Sequence, residues 1–465
     1  MNRSKKICVL LALLIAVSLA AFGVSRYEQH KEEIKNSDEV ILELKNEDVK
    51  SLSWEYEETK LAFHKDETWM YDDDETFPVS KDKVEQLLGV FESFGVSFII
   101  KNVEDYAQYG LDDPACSIRI ETDDKTYEIL LGDYSVMDEE RYVSIGDGNV
   151  YLASSDPMEF FQLELKDMIE NDKIPSIDKA EEIVFAGSES YKIVYQEESA
   201  HTYNEEDVYF VKEDQSYLPL DTSAVERYLS SVSSLSVSNY VSYHAEEEEL
   251  VRYGLDTPEL QITVQYPVLK EEGDEEEIKS FVLNLSRSAE EKAKEKDGEE
   301  GQDSAPAYFR VGESRIIYEI TGAEYESLLA ASYNDLRHQQ VIWADFADVY
   351  QVDISLDGQD YTLSAKEEKD ETIWYYQDKE IDIADFQSAL SMLTASEFTD
   401  KMDTEKEEIS LTVYLGGEKD TEVQISLYRQ DGSNCAAAVD GTPVSLVNRS
   451  YAVDLVEAVH AIVLN

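Results

Sequence analysis

Tyr109-Gly110-Leu111-Asp112-Asp113-Pro114 returns downstream as Tyr253-Gly254-Leu255-Asp256-Thr257-Pro258, and this echo decides the architecture. Upstream of the first copy stand Phe77-Pro78-Val79, Val84-Glu85 and Val96-Ser97. Upstream of the second, at the same spacings, stand Leu218-Pro219-Leu220, Val225-Glu226 and Val237-Ser238. A gap-free repeat of this length implies duplicated domains rather than one large fold around one active site.

Each residue of the phrase has a local folding job. Gly110 and Gly254 can adopt positive φ and end a short helical turn. Leu111 and Leu255 then have an apolar position to plug. Asp112 and Asp256 can accept from a following amide as an Asx turn. Pro114 and Pro258 hold the chain extended into the next strand. The expectation is a repeated structural motif made of Tyr109, Gly110, Leu111, Asp112, Pro114 and Tyr253, Gly254, Leu255, Asp256, Pro258.

Outward from the motif, one order of elements reads three times. Short strands end on an aromatic at Trp69, Phe210 and Trp374. An amphipathic helix follows, with Val84, Leu87, Leu88 and Phe91 behind Ser80 in the first copy. The second offers Val225, Tyr228, Leu229 and Val232 behind Asp221 or Thr222. The third offers Phe386, Ala389, Leu390 and Leu393 behind Asp382 or Asp385. A four-strand meander and a closing helix complete each copy, the meanders running over residues 116–152, 260–320 and 409–446. The fold class expected is α+β: three related repeats, each a mixed or antiparallel sheet with packed helices, after one N-terminal transmembrane helix. The domain map is 1–25 signal anchor, 26–38 polar stalk, 39–172 repeat one, 177–338 repeat two and 345–465 a divergent repeat three. Residues 288–306 form an acidic insertion in repeat two; both it and 270–277 read as mobile hairpin extensions.

The anchor rests on Ile7 to Gly23, apolar and free of charge and Pro, behind Arg3, Lys5 and Lys6. Basic residues stay cytoplasmic, which sends the body outside the cell membrane as a single-pass protein. The rival is a cleaved signal peptide, since Ser18-Leu19-Ala20 resembles a small-x-small site. With 102 acidic against 40 basic residues, the formal charge is −62. Such a surface repels nucleic acid and anionic lipid.

Little points to chemistry. Gly-x-Ser-x-Gly, a phosphate-cradling loop and His-Glu-x-x-His are absent, and the six histidines lack metal-ligand spacing. Asp72-Asp73-Asp74-Glu75 lacks the spaced pattern of a Ca²⁺ loop and reads as a solvated turn. The tryptophans Trp54, Trp69, Trp343 and Trp374 read as core rather than sugar platforms. Cys116 and Cys435 read as two unpaired buried thiols, with a bridge between them as the alternative. No catalytic, cofactor or metal residues are expected.

The Trp-ending strands, the Val-x-x-Leu-Leu helix, Tyr-Gly-Leu-Asp-x-Pro, and Leu130-Leu131-Gly132 ahead of Tyr142-Val143 resemble a bacterial family, domain of unknown function 4340. The resemblance covers residues 40–170 and 177–335 and fades after 345, where the motif is missing. It implies a membrane-anchored extracytoplasmic protein encoded beside an ABC-type permease, its ATPase and a gliding-motility-type auxiliary protein. The expected function is therefore a non-enzymatic accessory or scaffold of an ABC-type transporter, with those membrane proteins as partners. Two alternatives stand beside it: an extracellular solute- or glycan-binding module, and an enzyme acting on cell-envelope polymers.

Overall fold

The computed structural model describes residues 39–101, 103–213, 216–270, 275–296, 305–368, 371–416 and 421–464. The expected anchor and stalk lie outside the described residues. Among the described residues no helix is long and apolar enough to cross a membrane.

Alternating apolar and polar residues build three nine-stranded sheets in which every named pairing is antiparallel. The choice between mixed and antiparallel sheets is thereby settled, and strands dominate over a few helices. The first sheet runs, edge to edge, Glu39–Leu42, Phe94–Ile100, Val150–Ala153, Glu140–Ser144, Thr126–Ser135, Cys116–Thr122, Val49–Tyr56, Thr59–Lys65, Trp69–Tyr71. Its centre is the pairing of Val49–Tyr56 with Cys116–Thr122. The same place is held by Glu182–Ala186 with Leu260–Leu269 in the second sheet, and by Val349–Leu356 with Glu407–Leu415 in the third. Strand order around these centres is the same eight-strand scheme three times over. The third sheet keeps it although the Tyr-Gly-Leu-Asp-x-Pro signature is gone.

Each sheet buries one face under helices, as half-buried antiparallel sheets do. The helix Lys81–Gly89 turns Val84, Leu87 and Leu88 inward, and the Ser80 hydroxyl accepts from the Lys83 amide. The helix Thr222–Ser233 turns in Val225, Tyr228, Leu229 and Val232, and Asp221 accepts from the Ala224 amide. A fully buried aliphatic or aromatic side chain contributes roughly 1.5–3 kcal/mol, so the three positions of the first helix and the four of the second fix each on its sheet. In the third repeat the helix is Ala384–Ser391 and its cap residue is Ile383, not Asp382 or Asp385. Asp382 still accepts from the Ala384 amide, one residue ahead of the expected place.

The chain divides after Asp172 into two compact units, the second holding sheets two and three. In repeat one the closing helix is short, Met158–Phe161, and a single 3-10 turn follows at Leu165–Met168. Residues 270 and 275–277 continue a long hairpin, Leu269 pairing with Glu276. The start of the acidic insertion departs from expectation. It forms the helix Ala289–Lys296, because the Ser288 hydroxyl accepts from the Glu291 amide and Lys292 reaches into the neighbouring loop.

Candidate functional site

The repeated motif is a backbone device. Gly110 closes the 3-10 turn Ala107–Tyr109 at φ 67°. A side chain there would bring its Cβ to 2.6 Å from the Asp133 carboxylate carbon, and one at Gly132 would lie 2.2 Å from the Tyr109 carbonyl oxygen. Gly254 has φ 72°, with the Arg287 carbonyl oxygen 2.4 Å from where its Cβ would stand. In both copies the motif loop therefore lies directly on the meander, and the buried Leu111 and Leu255 plug the joint. The motif tyrosines pack on tyrosines of the third meander strand, Tyr109 on Tyr142 at 4.9 Å and Tyr253 on Tyr308 at 4.6 Å between ring centres. Pro114 and Pro258 are half-buried at the strand entrances. The Asx turns do not form. Asp112 and Asp256 are exposed, and the Asp256 carboxylate instead meets the Thr257 hydroxyl at 3.5 Å.

Two features around the motif have no signature in the sequence. In repeat two, Lys292 of the insertion donates to the carbonyls of Gly254 and Thr257, both at 3.1 Å. In repeat three, where the motif is absent, the Gln430 side chain accepts from the Asp403 amide and donates to the Asp403 carbonyl, each at 2.9 Å. One primary amide thus holds the loop that a glycine contact holds elsewhere.

Each repeat also has a shielded arginine–carboxylate pair. Arg141 grips Asp156 through Nε and Nη2 at 2.7 and 2.9 Å and donates to the Gly132 carbonyl. Arg287 meets Glu259 with its side chain and its own amide, and the Tyr325 hydroxyl donates to the same carboxylate at 2.8 Å. Burial alone raises the Glu259 pKa, but the Arg287 guanidinium and amide and the Tyr325 hydroxyl outweigh it and hold it below its usual 4.5. Arg449 Nε stands 2.9 Å from Glu408, beside the thiol of Cys435.

A buried polar cluster lies at the seam between sheets two and three. Asp207, only 2% exposed, accepts from Thr202 Oγ1 at 2.5 Å and from Trp343 Nε1 at 2.9 Å, and its other oxygen lies 2.7 Å from His338 Nε2. The His338 ring lies parallel to Trp343, 4.2 Å away at 9°, and Tyr203 packs on the same indole at 5.0 Å. The Asn204 amide donates to the Trp343 carbonyl. The connection that carries His338 then joins sheet three: Ala395 N–H donates to the Gln339 carbonyl, and Val341 N–H to that of Leu393. Nucleophile, base and carboxylate are not in catalytic order here, because the Thr202 hydroxyl bonds Asp207 rather than His338. The cluster is a joint. His338 and Trp343 are close in the chain, but Asp207 comes from far upstream, and no local pattern announces the trio.

The remaining candidates are spent on structure. His64 pairs with Asp72 at 2.7 Å, Tyr71 donates to Asp73, and Asp74 accepts from Thr76, so the acidic run is a bonded turn. Trp54 stacks in the first core against Phe63 and Phe161. Cys116 and Cys435 are free buried thiols, each pushed up to about 12 chiefly by burial. Among the described residues no group of three or more His, Cys, Asp or Glu is placed to hold a metal ion.

Comparison with curated proteins gives no match, and neither does comparison with solved structures. A family match does cover the chain over residues 69–206 and 211–412. The first matched stretch begins at the strand Trp69–Tyr71 of sheet one and runs past the first two strands of sheet two; the second begins within Tyr209–Glu213 of sheet two and ends within Glu407–Leu415 of sheet three, so each spans a repeat junction. With most of the sequence matched, the chain belongs to the family described as Domain of unknown function (DUF4340).

Proposed function

We propose that the protein is a non-enzymatic, membrane-anchored accessory of an ABC-type transporter. Its body stands outside the cytoplasm and acts through protein–protein contacts. The observation that carries this reading is the seam around Asp207. Sheets two and three are locked by a buried, hydrogen-bonded joint, which suits a spacer that holds a partner at a fixed position. The space that a solute-binding reading needs between repeats is filled there by Tyr203, Trp343 and His338 packed on one another. The acidic surface suits a basic protein partner better than lipid or nucleic acid.

The test is a pull-down of the full-length protein from native membranes, with partners identified by mass spectrometry. Recovery of an ABC permease with its ATPase supports the accessory role. Recovery of neither, from protein shown to be folded, overturns it.

A further inference from the structure

In repeats one and two the chain that leaves the closing helix turns back onto the sheet edge. Val79 forms an isolated antiparallel bridge with Ile169. Ser80 N–H donates to the Met168 carbonyl at 2.8 Å, and Glu170 N–H donates to that of Pro78 at 2.7 Å. Met168 and Ile169 are buried by the contact. Repeat two does the same with Asp221 N–H and the Leu336 carbonyl at 3.0 Å, and Leu336 is buried. In both repeats the bonded residue is the cap of the first helix.

Aligned by the first buried residue shared by their helices, Val84, Val225 and Phe386, Val79-Ser80 and Leu220-Asp221 correspond to Ile381-Asp382 in repeat three, one residue ahead of the cap Ile383. Among the described residues nothing bridges to that edge. A cleft of about 450 Å³ opens there instead, lined by Tyr376, Ile381, Phe386, Ala458 and Ile462. The closing helix Arg449–Val463 packs on the helix Ala384–Ser391. Its small Ala458 and Ala461 leave the space open between them. Glu380, Asp382 and Asp385 stand at the cleft against Lys379, the one basic side chain among its described lining residues.

We propose that this cleft receives an extended segment of a partner protein. The segment adds to the edge at Ile381-Asp382 by main-chain pairing, as a strand added to an exposed sheet edge does. It sinks an aliphatic side chain where Met168-Ile169 and Leu336 sit in the other repeats, and carries Lys or Arg on its flanks to meet the acidic rim. The occupant's chemistry comes from the two internal examples and from the rim charge. The inference rests on the accessory reading only in taking the occupant to be a protein.

The probe is a fluorescein-labelled peptide, KKSMISKK, titrated into the full-length protein while anisotropy is followed. Saturable binding is expected, weakened about tenfold, or 1.4 kcal/mol, by Ala461→Trp, which fills the cleft from an exposed position. Asp385→Lys should weaken it similarly, and it keeps the test decisive if the tryptophan variant does not fold. Equal binding of a KKSSSSKK control, equal binding by both variants, or no binding to the folded wild type overturns the proposal. The same variants separate this inference from the transporter reading. Permease recovered equally by wild type and Ala461→Trp overturns the cleft as the docking site and leaves the accessory role standing. Cleft-dependent peptide binding with no permease recovered does the reverse.

Discussion

Arg287 holds Glu259 with two different parts of itself. Its guanidinium Nη2 lies 2.7 Å from Oε1, and its main-chain N–H donates to Oε2 at 2.8 Å. The residue that ends the second meander strand therefore pins the residue just ahead of the first, between Pro258 and Leu260. Tyr325, on the helix over them, closes the arrangement.

Glu259→Gln should destabilise the second unit by about 2 kcal/mol, a figure for one charged, hydrogen-bonded group discounted for a pair left partly exposed. The pH dependence has a fixed sign. The Glu259 pKa is depressed when folded, so its contribution is present above the ordinary 4.5 and is lost as pH falls through the lower folded value. Urea midpoints of wild type and variant, compared from pH 7 to pH 3, should differ at neutral pH and converge at the acid end. A gap that persists undiminished at pH 3 would contradict the assignment.

The glycines separate conformational strain from collision. Gly254→Ala combines a left-handed backbone with a Cβ 2.4 Å from a carbonyl oxygen, whereas Gly146, at φ 76°, faces open space. Gly146→Ala should cost about 1 kcal/mol, the left-handed penalty alone. Gly254→Ala should cost at least roughly twice that, with Gly110→Ala closer to it than to Gly146→Ala. Thermal melts of the three variants rank them directly.

His338→Ala removes one of the three hydrogen-bond partners of the buried Asp207, a loss of about 2 kcal/mol. The damage should concentrate at the seam. Hydrogen exchange is expected to accelerate at the Val341 and Ala395 amides, which bond across it, while the Ile183–Phe185 strand keeps its protection. Uniform acceleration throughout the second unit would argue against a local joint.

The insertion is expected to be removable. Arg287 pairs directly with Ala307, so residues 288–306 connect two strands already in hairpin register. Their replacement by an Asn-Gly turn suits such a junction and should leave sheet two folded. Loss of the Lys292 bonds to Gly254 and Thr257 should lower stability by about 1 kcal/mol. Lys292→Ala in the full chain should reproduce that loss; if sheet two unfolds instead, the insertion is integral to it.

Much of the scaffold is legible because it is local. Val84, Leu87 and Leu88 declare a helix by spacing, Ser80 and Asp221 declare its start, and Tyr-Gly-Leu-Asp-x-Pro declares a turn into a strand. The start of Ala384–Ser391 is less sharply written, since Asp382 lies one residue outside the cap and still bonds the first turn. The helix at the start of the insertion is not legible because it has little apolar periodicity; it is held by Ser288 at one end and by Lys292 docked on carbonyls of another loop. In the third repeat, where the motif is absent, Gln430 bonds both main-chain groups of Asp403, a contact that no local pattern marks.

The sequence by itself determined that the chain is duplicated, which faces of its strands and helices are apolar, and that its surface is strongly acidic. These follow from residue types and short spacings, which act through local sterics and burial. Only the tertiary structure decided which polar groups meet. Asp207 with His338 and Trp343, Arg287 with Glu259 and Tyr325, and the open edge at Ile381-Asp382 each join elements distant in the chain. Their geometry is set by how whole sheets and helices pack, and the free energy that fixes it is shared among dozens of buried side chains rather than written at any one position.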